Sequence, residues 1–137
     1  MPDKSITVIG FDFGSYWIGT AVGQTLTGQA TPLPALRNND WKAIQHLLDE
    51  WQPQQLVVGL PLSMDGEDQE MTARTKRFGR QLEGRFGINA CMVDERLTTR
   101  EAYQIAIESK QHRSKMELDS LAAALITESW LRNQLAD

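Results

Sequence analysis

Two apolar runs of strand length stand close together near the start of the chain, and they constrain the fold more than any other feature. Ile6–Phe13 and Trp17–Val22 are separated by Gly14 and Ser15, residues that are typical of a tight turn. The pair predicts an antiparallel hairpin, which must pack against further structure to be stable. Ala30–Leu36 is a third apolar run, and its prolines predict a strand at the edge of the sheet.

Beyond these strands the pattern becomes an alternation of helices and short strands. Asp40 is a suitable N-cap for a first helix, and Gln69–Phe86 predicts a second helix that ends at Gly87. Gln55–Gly59 and Ile88–Val93 are short, continuously apolar runs, which are typical of buried strands.

Two further helices are predicted in the last third of the chain. Thr98 or Thr99 is expected to cap a helix through Glu108, and Leu118–Leu135 predicts the last helix. Four of its residues are expected to face the core: Leu118, Leu121, Ala122 and Leu125. The order β-β-β-α-β-α-β-α-α indicates one α/β domain over residues 1–137, with antiparallel early strands and parallel later ones.

Composition and charge narrow the functional classes. The net charge of −4 disfavours a protein that coats nucleic acid unselectively, because phosphate binding is mainly electrostatic. The single cysteine, Cys91, cannot form an internal disulfide, and the sequence contains neither a signal peptide nor a membrane-spanning run. We therefore expect a soluble, cytoplasmic protein without a membrane partner.

Three acidic residues stand where predicted elements begin or end. Asp12 ends the first strand, Glu95 follows the fifth, and Asp119 opens the last helix. If the first and fifth strands flank the fourth, these carboxylates converge at one edge of the sheet. Oxygen ligands of this kind suit Mg²⁺, and a pair of such ions can promote phosphodiester hydrolysis.

Each acid also has a simpler interpretation. Asp12 could form a turn with the glycine that follows nearby, and Asp119 could complement the dipole of its helix. Asp94 and Glu95 could be an exposed pair, and strand alternation allows only one of them to reach a shared site. The residues alone leave these alternatives open.

Read together, the segments resemble the YqgF family, also called RuvX, of Holliday junction resolvases and pre-16S rRNA nucleases. Motifs in the family's order extend almost from end to end of the chain. They are Gly10–Gly14, Ile18–Gly23, Val57–Leu62, Met64–Gly66, Asp94–Thr99 and Asp119–Ala123. The resemblance implies an RNase H-like fold with a five-stranded mixed sheet flanked by helices.

The resemblance also implies a site and a reaction. Asp12, Glu95 and Asp119 match the family's acids and would bind one or two Mg²⁺ or Mn²⁺ ions for hydrolysis of nucleic acid. Eight further residues are candidate contacts to phosphate: Arg74, Arg77, Arg96, Thr99, Arg100, Lys110, Arg113 and Lys115. The expected partners are pre-16S rRNA, whose 5′ end would be matured, or branched DNA, and ribosomal particles are a further candidate.

Several alternatives remain at this stage. A sugar-kinase or chaperone-type ATPase opens with a similar strand and Asp-x-Gly loop, but it needs a second lobe that 137 residues cannot supply. A Holliday junction resolvase would act as a dimer, whereas an rRNA nuclease could be a monomer or a weak homodimer. A non-catalytic RNA-binding assembly factor is the alternative outside the enzymes.

Overall fold

A computed structural model describes residues 5–62, 69–95 and 114–135. Eight elements are present in this part of the chain. The strands are β1 (Thr7–Phe13), β2 (Trp17–Gln24), β3 (Gln29–Arg37), β4 (Gln55–Leu60) and β5 (Ala90–Asp94), and the helices are α1 (Trp41–Trp51), α2 (Glu70–Phe86) and α3 (Lys115–Leu135). The helix predicted after Thr98 or Thr99 lies outside the described residues. Within them, no helix has the length and apolar character needed to cross a lipid bilayer.

The five strands form one mixed sheet in the order β3-β2-β1-β4-β5. β1 pairs antiparallel with β2 and parallel with β4, and β5 adds parallel to β4. β3 lies at the edge, where proline costs no hydrogen bond of the ladder. The sequence prediction of an antiparallel hairpin and edge strand followed by parallel additions is therefore confirmed.

One face of the sheet carries the larger apolar core, and α1 and α2 cover it. Ile9 and Phe11 from β1 and Phe78 and Leu82 from α2 are almost completely buried there. The Phe78 ring lies edge-on to the Phe11 ring, with centroids 5.6 Å apart. Side chains of this size hold α1 and α2 away from the strands.

The opposite face of the sheet is built for close approach. At Gly10 and Gly19 the α3 helix comes so near that a Cβ atom would overlap Thr127 Oγ1 and the Asp119 carbonyl oxygen, respectively. The helix consequently buries small residues, including Ala123, which is fully inaccessible to solvent. Glycine within a strand often marks such an approach of another backbone.

This arrangement corrects the predicted core face of α3. The four apolar residues assigned to it are only partly buried: Leu118, Leu121, Ala122 and Leu125. The residues that pack inward are instead small or polar for the most part: Ser120, Ala123, Ala124, Ile126, Thr127, Ser129 and Leu131. Close contact with the sheet glycines selects small side chains, so apolarity alone points to the wrong face.

The helix ends explain the positions of several predicted residues. The Asp40 side chain accepts a hydrogen bond from the Ala43 amide at 3.1 Å, and Gly87 ends α2 with a φ of 67°, as predicted. α3 begins at Lys115 rather than Leu118, because the Ser114 hydroxyl accepts from the Glu117 amide at 3.1 Å. Asp119 therefore lies in the second turn of α3 and does not open the helix.

Candidate functional site

The parallel strands bring two predicted acids to one edge of the sheet. β1, β4 and β5 run in the same direction, so their carboxyl ends lie together. Asp12 is the penultimate residue of β1, and Glu95 directly follows β5. Ligand sites of open α/β sheets commonly lie at this edge, and the predicted convergence of these two strand ends is observed.

Asp12 and Glu95 are in direct contact, since their side chains share a hydrogen bond. Burial raises the pKa of Glu95 above its ordinary value of 4.5, and the negative charge of Asp94 raises it further. The hydrogen bond with Asp12 lowers the pKa of Glu95 and offsets part of this rise. Two carboxyl groups in hydrogen-bond contact either share a proton or need a cation between them.

α3 brings the third acid to the same face of the sheet. Asp12 lies directly across from Gly19 in the β1–β2 ladder. Gly19 in turn touches the backbone of Asp119 and of Ser120, whose amide nitrogen lies 2.7 Å from the position that a Cβ atom would occupy. The Ser120 hydroxyl also accepts a hydrogen bond from the Thr20 amide at 3.2 Å. The segment that carries Asp119 is thus anchored beside the strand pair that carries Asp12.

A second strand glycine leaves room for the carboxyl group of Glu95. A Cβ atom at Gly59 would lie 2.9 Å from Glu95 Oε1 and would also overlap Ile126 of α3. Gly59 is the residue after Val58, which pairs with Phe11 beside Asp12. Any larger residue at Gly59 would displace Glu95 from this part of the edge.

The carboxyl groups of Asp12 and Glu95 are suitable ligands for a hard divalent cation, although they do not form a complete coordination shell. In residues 5–62, 69–95 and 114–135, no three Asp, Glu, His or Cys side chains are arranged to hold a metal ion. Mg²⁺ commonly binds to one or two carboxylates and completes its shell with water and substrate phosphate. Asp12 and Glu95 supply such a pair in a space that the glycines keep open. Participation of Asp119 stays a prediction.

Two of the predicted phosphate contacts are on α2. Arg74 and Arg77 are both exposed. Arg74 Nη1 donates to the Ser15 hydroxyl at 3.4 Å, so it lies next to the turn that follows β1. Five other candidates fall outside the described residues: Arg96, Thr99, Arg100, Lys110 and Arg113. Lys115 belongs to the first turn of α3 rather than to a preceding loop.

Sequence reasoning missed the residues that shape this site. Gly19 and Gly59 set the spacing of α3 and Glu95, and glycine inside an otherwise apolar strand was the available signal. It also missed Arg37, whose guanidinium lies 5.6 Å from the centroid of the Trp17 ring at the start of β2. No local pattern distinguishes Arg37 from any other exposed cation.

Comparison with known proteins places the chain in a family. The model of the RuvX family, described as Holliday junction resolvase, matches residues 6–133. The chain belongs to the RuvX family. The resemblance stated from the motifs is therefore confirmed.

Relatives of this RuvX chain match it over nearly their whole length. One from Aeromonas hydrophila is 48% identical over 137 residues, covering 96% of this chain and 98% of the relative. One from Escherichia coli O157:H7 is 46% identical over 130 residues, covering 90% and 94%. Both bear the name "Putative pre-16S rRNA nuclease". These names and the family description are those of nucleases, which hydrolyse phosphodiester bonds, so the prediction of a nuclease enzyme is confirmed.

Solved structures identify the fold of the RuvX chain. Thermus thermophilus RuvC in complex with a Holliday junction substrate matches with a TM-score of 0.62 and 14% identity, covering 94% of this chain and 96% of RuvC. A second structure of the same protein gives a TM-score of 0.61 at 12% identity. Identities this low establish the fold alone. That fold is RNase H-like, as the motifs predicted.

Proposed function

We propose that this chain is a divalent-metal-dependent endonuclease that matures the 5′ end of pre-16S rRNA. The observation that carries the proposal is the Asp12–Glu95 carboxyl pair at the carboxyl edge of the parallel strands. Full-length relatives named for a pre-16S rRNA nuclease support the choice of substrate.

The acidic residues would form the metal site. Asp12 and Glu95 would hold Mg²⁺ or Mn²⁺, and Asp119 would approach from α3. When bound, the ion supplies positive charge that stabilises the transition state of phosphodiester hydrolysis and acidifies water. Glu95 would act in its carboxylate form, because only the carboxylate is a good ligand. Because burial raises the pKa of Glu95, ion binding should weaken as the pH falls.

Cations outside the carboxyl pair would hold the substrate backbone. Arg74 is suitable because it is exposed and lies beside the turn after β1, at the same edge as Asp12. Arg77 lies one helical turn further along α2 and would contact a more distant phosphate. The remaining cations of the predicted set, Arg96, Arg100, Lys110, Arg113 and Lys115, are proposed for the same task on their sequence positions.

The decisive experiment compares the wild type with Asp12→Asn on a pre-16S rRNA leader, with Mg²⁺, with Mn²⁺ and with chelator. We expect the substitution to lower the cleavage rate by about 1,000-fold, because a metal ligand is worth several kcal/mol of transition-state stabilisation. Circular dichroism and thermal unfolding should show that Asp12→Asn folds normally. Cleavage at the wild-type rate by this variant would disprove the proposed site.

Holliday junction resolution is the second candidate. Its support is the family description and the likeness in fold to RuvC solved on a Holliday junction. A synthetic four-way DNA junction in the same assay separates the two: symmetric cutting of the junction, with the RNA left intact, would replace the first proposal by the second. Tight binding of RNA or ribosomal particles without any cleavage would indicate an assembly factor.

A further inference from the structure

We infer that Tyr16 is a stacking platform for an unpaired base of the substrate strand, close to the phosphodiester that is cut. The inference rests on the proposed function, since it places Tyr16 beside the Asp12–Glu95 pair. The Tyr16 side chain is 78% exposed, and it is the one aromatic among the large, strongly exposed apolar residues of the described chain. A tyrosine ring in water at the edge of a candidate site is available for contact with a ligand.

The turn that carries Tyr16 is held at both ends. The Asn38 side-chain amide donates to the Gly14 carbonyl at 2.5 Å, and the Asn38 backbone amide donates to the Tyr16 carbonyl at 2.8 Å. One residue at the end of β3 therefore fixes the turn between β1 and β2. A stacking platform gains from such restraint, because less conformational entropy is lost when the base binds.

Cationic side chains lie on both sides of the turn. Arg74 hydrogen-bonds to Ser15, the residue before Tyr16, and Arg37 lies over Trp17, the residue after it. Both arginines are exposed. An exposed aromatic ring on a turn that also contacts guanidinium groups is a combination with which proteins bind single strands: the ring stacks on a base and the cations contact the phosphates.

The location of Tyr16 favours a base near the cleavage position. Tyr16 follows Asp12 by four residues and lies just beyond the same end of β1. Four residues span at most about 13 Å when fully extended, and less across a turn, so the Tyr16 backbone lies within roughly four stacked nucleotides of Asp12. The base must be unpaired, because the faces of bases inside a duplex are covered by their neighbours.

The test measures binding without cleavage, so that its failure differs from failure of the proposed function. Asp12→Asn protein in chelator is titrated with a single-stranded oligoribonucleotide that contains a fluorescent adenine analogue, and with the matching duplex. Adding Tyr16→Ala should weaken binding of the single strand by about 5- to 150-fold, the range of one base–aromatic contact. Tyr16→Phe and Tyr16→Trp should retain binding and the stacking-induced change in fluorescence.

Leu26→Ala is the matched control. Leu26 is 81% exposed but lies in the turn after β2, at the opposite end of that strand, so its truncation should leave binding unchanged. An abasic nucleotide moved along the strand should weaken wild-type binding at one position, and Tyr16→Ala should be insensitive there.

Three results would overturn the inference. They are wild-type affinity for the single strand in Tyr16→Ala, loss of binding in Tyr16→Phe as large as in Tyr16→Ala, and equal loss for single strand and duplex. Cleavage tests on the protein with Asp12 intact are independent of all three.

Discussion

The two faces of the sheet use opposite packing strategies. Towards α1 and α2 the strands present large side chains such as Ile9 and Phe11, and the contact is made by rings and aliphatic groups. Towards α3 they present Gly10 and Gly19 beside a smaller apolar cluster, and the closest contacts are with the Thr127 side chain and the Asp119 backbone. The first face produces stability through buried apolar area. The second face buries less apolar area, but it fixes a short distance between α3 and the strand that carries Asp12.

The first way to test this comparison is to damage the large-residue face. Phe78 is 2% exposed, and its ring lies 4.8 Å from that of Phe13 and 5.7 Å from that of Trp41. Phe78→Ala should lower the free energy of unfolding by about 3–5 kcal/mol through lost burial and a cavity. The measurement is denaturant unfolding, with cleavage assayed at a temperature where the variant is folded.

Phe78→Leu is the milder companion, with an expected loss of about 1.5 kcal/mol. Specific activity per folded molecule should stay near the wild-type value in both variants. Phe78 packs against Phe11 and Phe13 on one face of β1, whereas the Asp12 side chain alternates to the other face. A large fall in the activity of fully folded Phe78→Leu would show that the two faces are not functionally separate.

The second test adds a single carbon to the close-packed face. In Gly19→Ala the new methyl group meets the backbone of Asp119, which cannot rotate away. We expect a loss of about 1–3 kcal/mol in stability from overpacking, and a cleavage rate lower by about 100-fold because Asp119 moves relative to Asp12. Thermal unfolding and single-turnover cleavage measure the two effects.

Gly84→Ala provides the control for Gly19→Ala. A Cβ atom at Gly84 of α2 would meet nothing within 4 Å. This change should raise stability by about 0.5–1 kcal/mol, as alanine does in a helix interior, and leave cleavage unaffected. If Gly19→Ala behaved like Gly84→Ala, the close approach of α3 would be dispensable.

A third test removes one hydrogen bond from the close-packed face. Ser120 and Thr20 are both buried, and the Thr20 amide donates to the Ser120 hydroxyl. Ser120→Ala should cost about 1–2 kcal/mol, because a buried amide is left without this acceptor. Unfolding of the variant in urea measures the loss. Hydrogen exchange of the Thr20 amide should quicken selectively, and unchanged protection of that amide would refute the interpretation.

The smallest expected effect concerns Glu95 and depends on pH. Its pKa is raised in the folded protein by burial and by Asp94, so the folded state binds its proton more tightly than the unfolded chain. Stability from this group is therefore full below pH 4.5 and is lost as pH rises towards the folded-state pKa. Glu95→Gln should raise the melting temperature at neutral pH in chelator, and the difference should vanish in acid.

One result would contradict this prediction for Glu95. Identical pH profiles of melting temperature for wild type and Glu95→Gln would mean that the environment of this carboxyl group does not favour its neutral form. Calorimetric titration with Mg²⁺ at several pH values gives a second check, since a raised pKa of Glu95 predicts that binding weakens as the pH falls.

The sequence predicts the large-residue face far better than the close-packed one. Continuous apolar runs and the caps Asp40 and Gly87 locate the strands and the first two helices, because their signals are local. The prediction of which side of α3 is buried is wrong, because leucine is more apolar than alanine or serine and the apolar pattern therefore selects the leucine side. Only the position of Gly10 and Gly19 under the helix explains why Ala123 and Ser120 are inside.

The candidate site also has parts that the sequence predicts and parts that it does not. The motifs and the strand ends indicate Asp12 and Glu95, because parallel strands bring their carboxyl ends to one edge. The hydrogen bond between Asp12 and Glu95 and the raised pKa of Glu95 depend on side-chain packing, which cannot be inferred from the spacing of residues in the sequence. The restraint of the turn that carries Tyr16 likewise comes from Asn38, which is distant in sequence.

The hydrogen bond between Thr20 and Ser120 joins residues 100 positions apart in the chain. Closing a loop of this length costs conformational entropy, and non-local contacts of this kind slow folding. During synthesis the five strands leave the ribosome before α3 does. While the α3 segment is still inside the ribosome, the Asp12 strand is without the helix that carries Asp119, so nucleic-acid cleavage that uses Asp119 would begin only once α3 has docked.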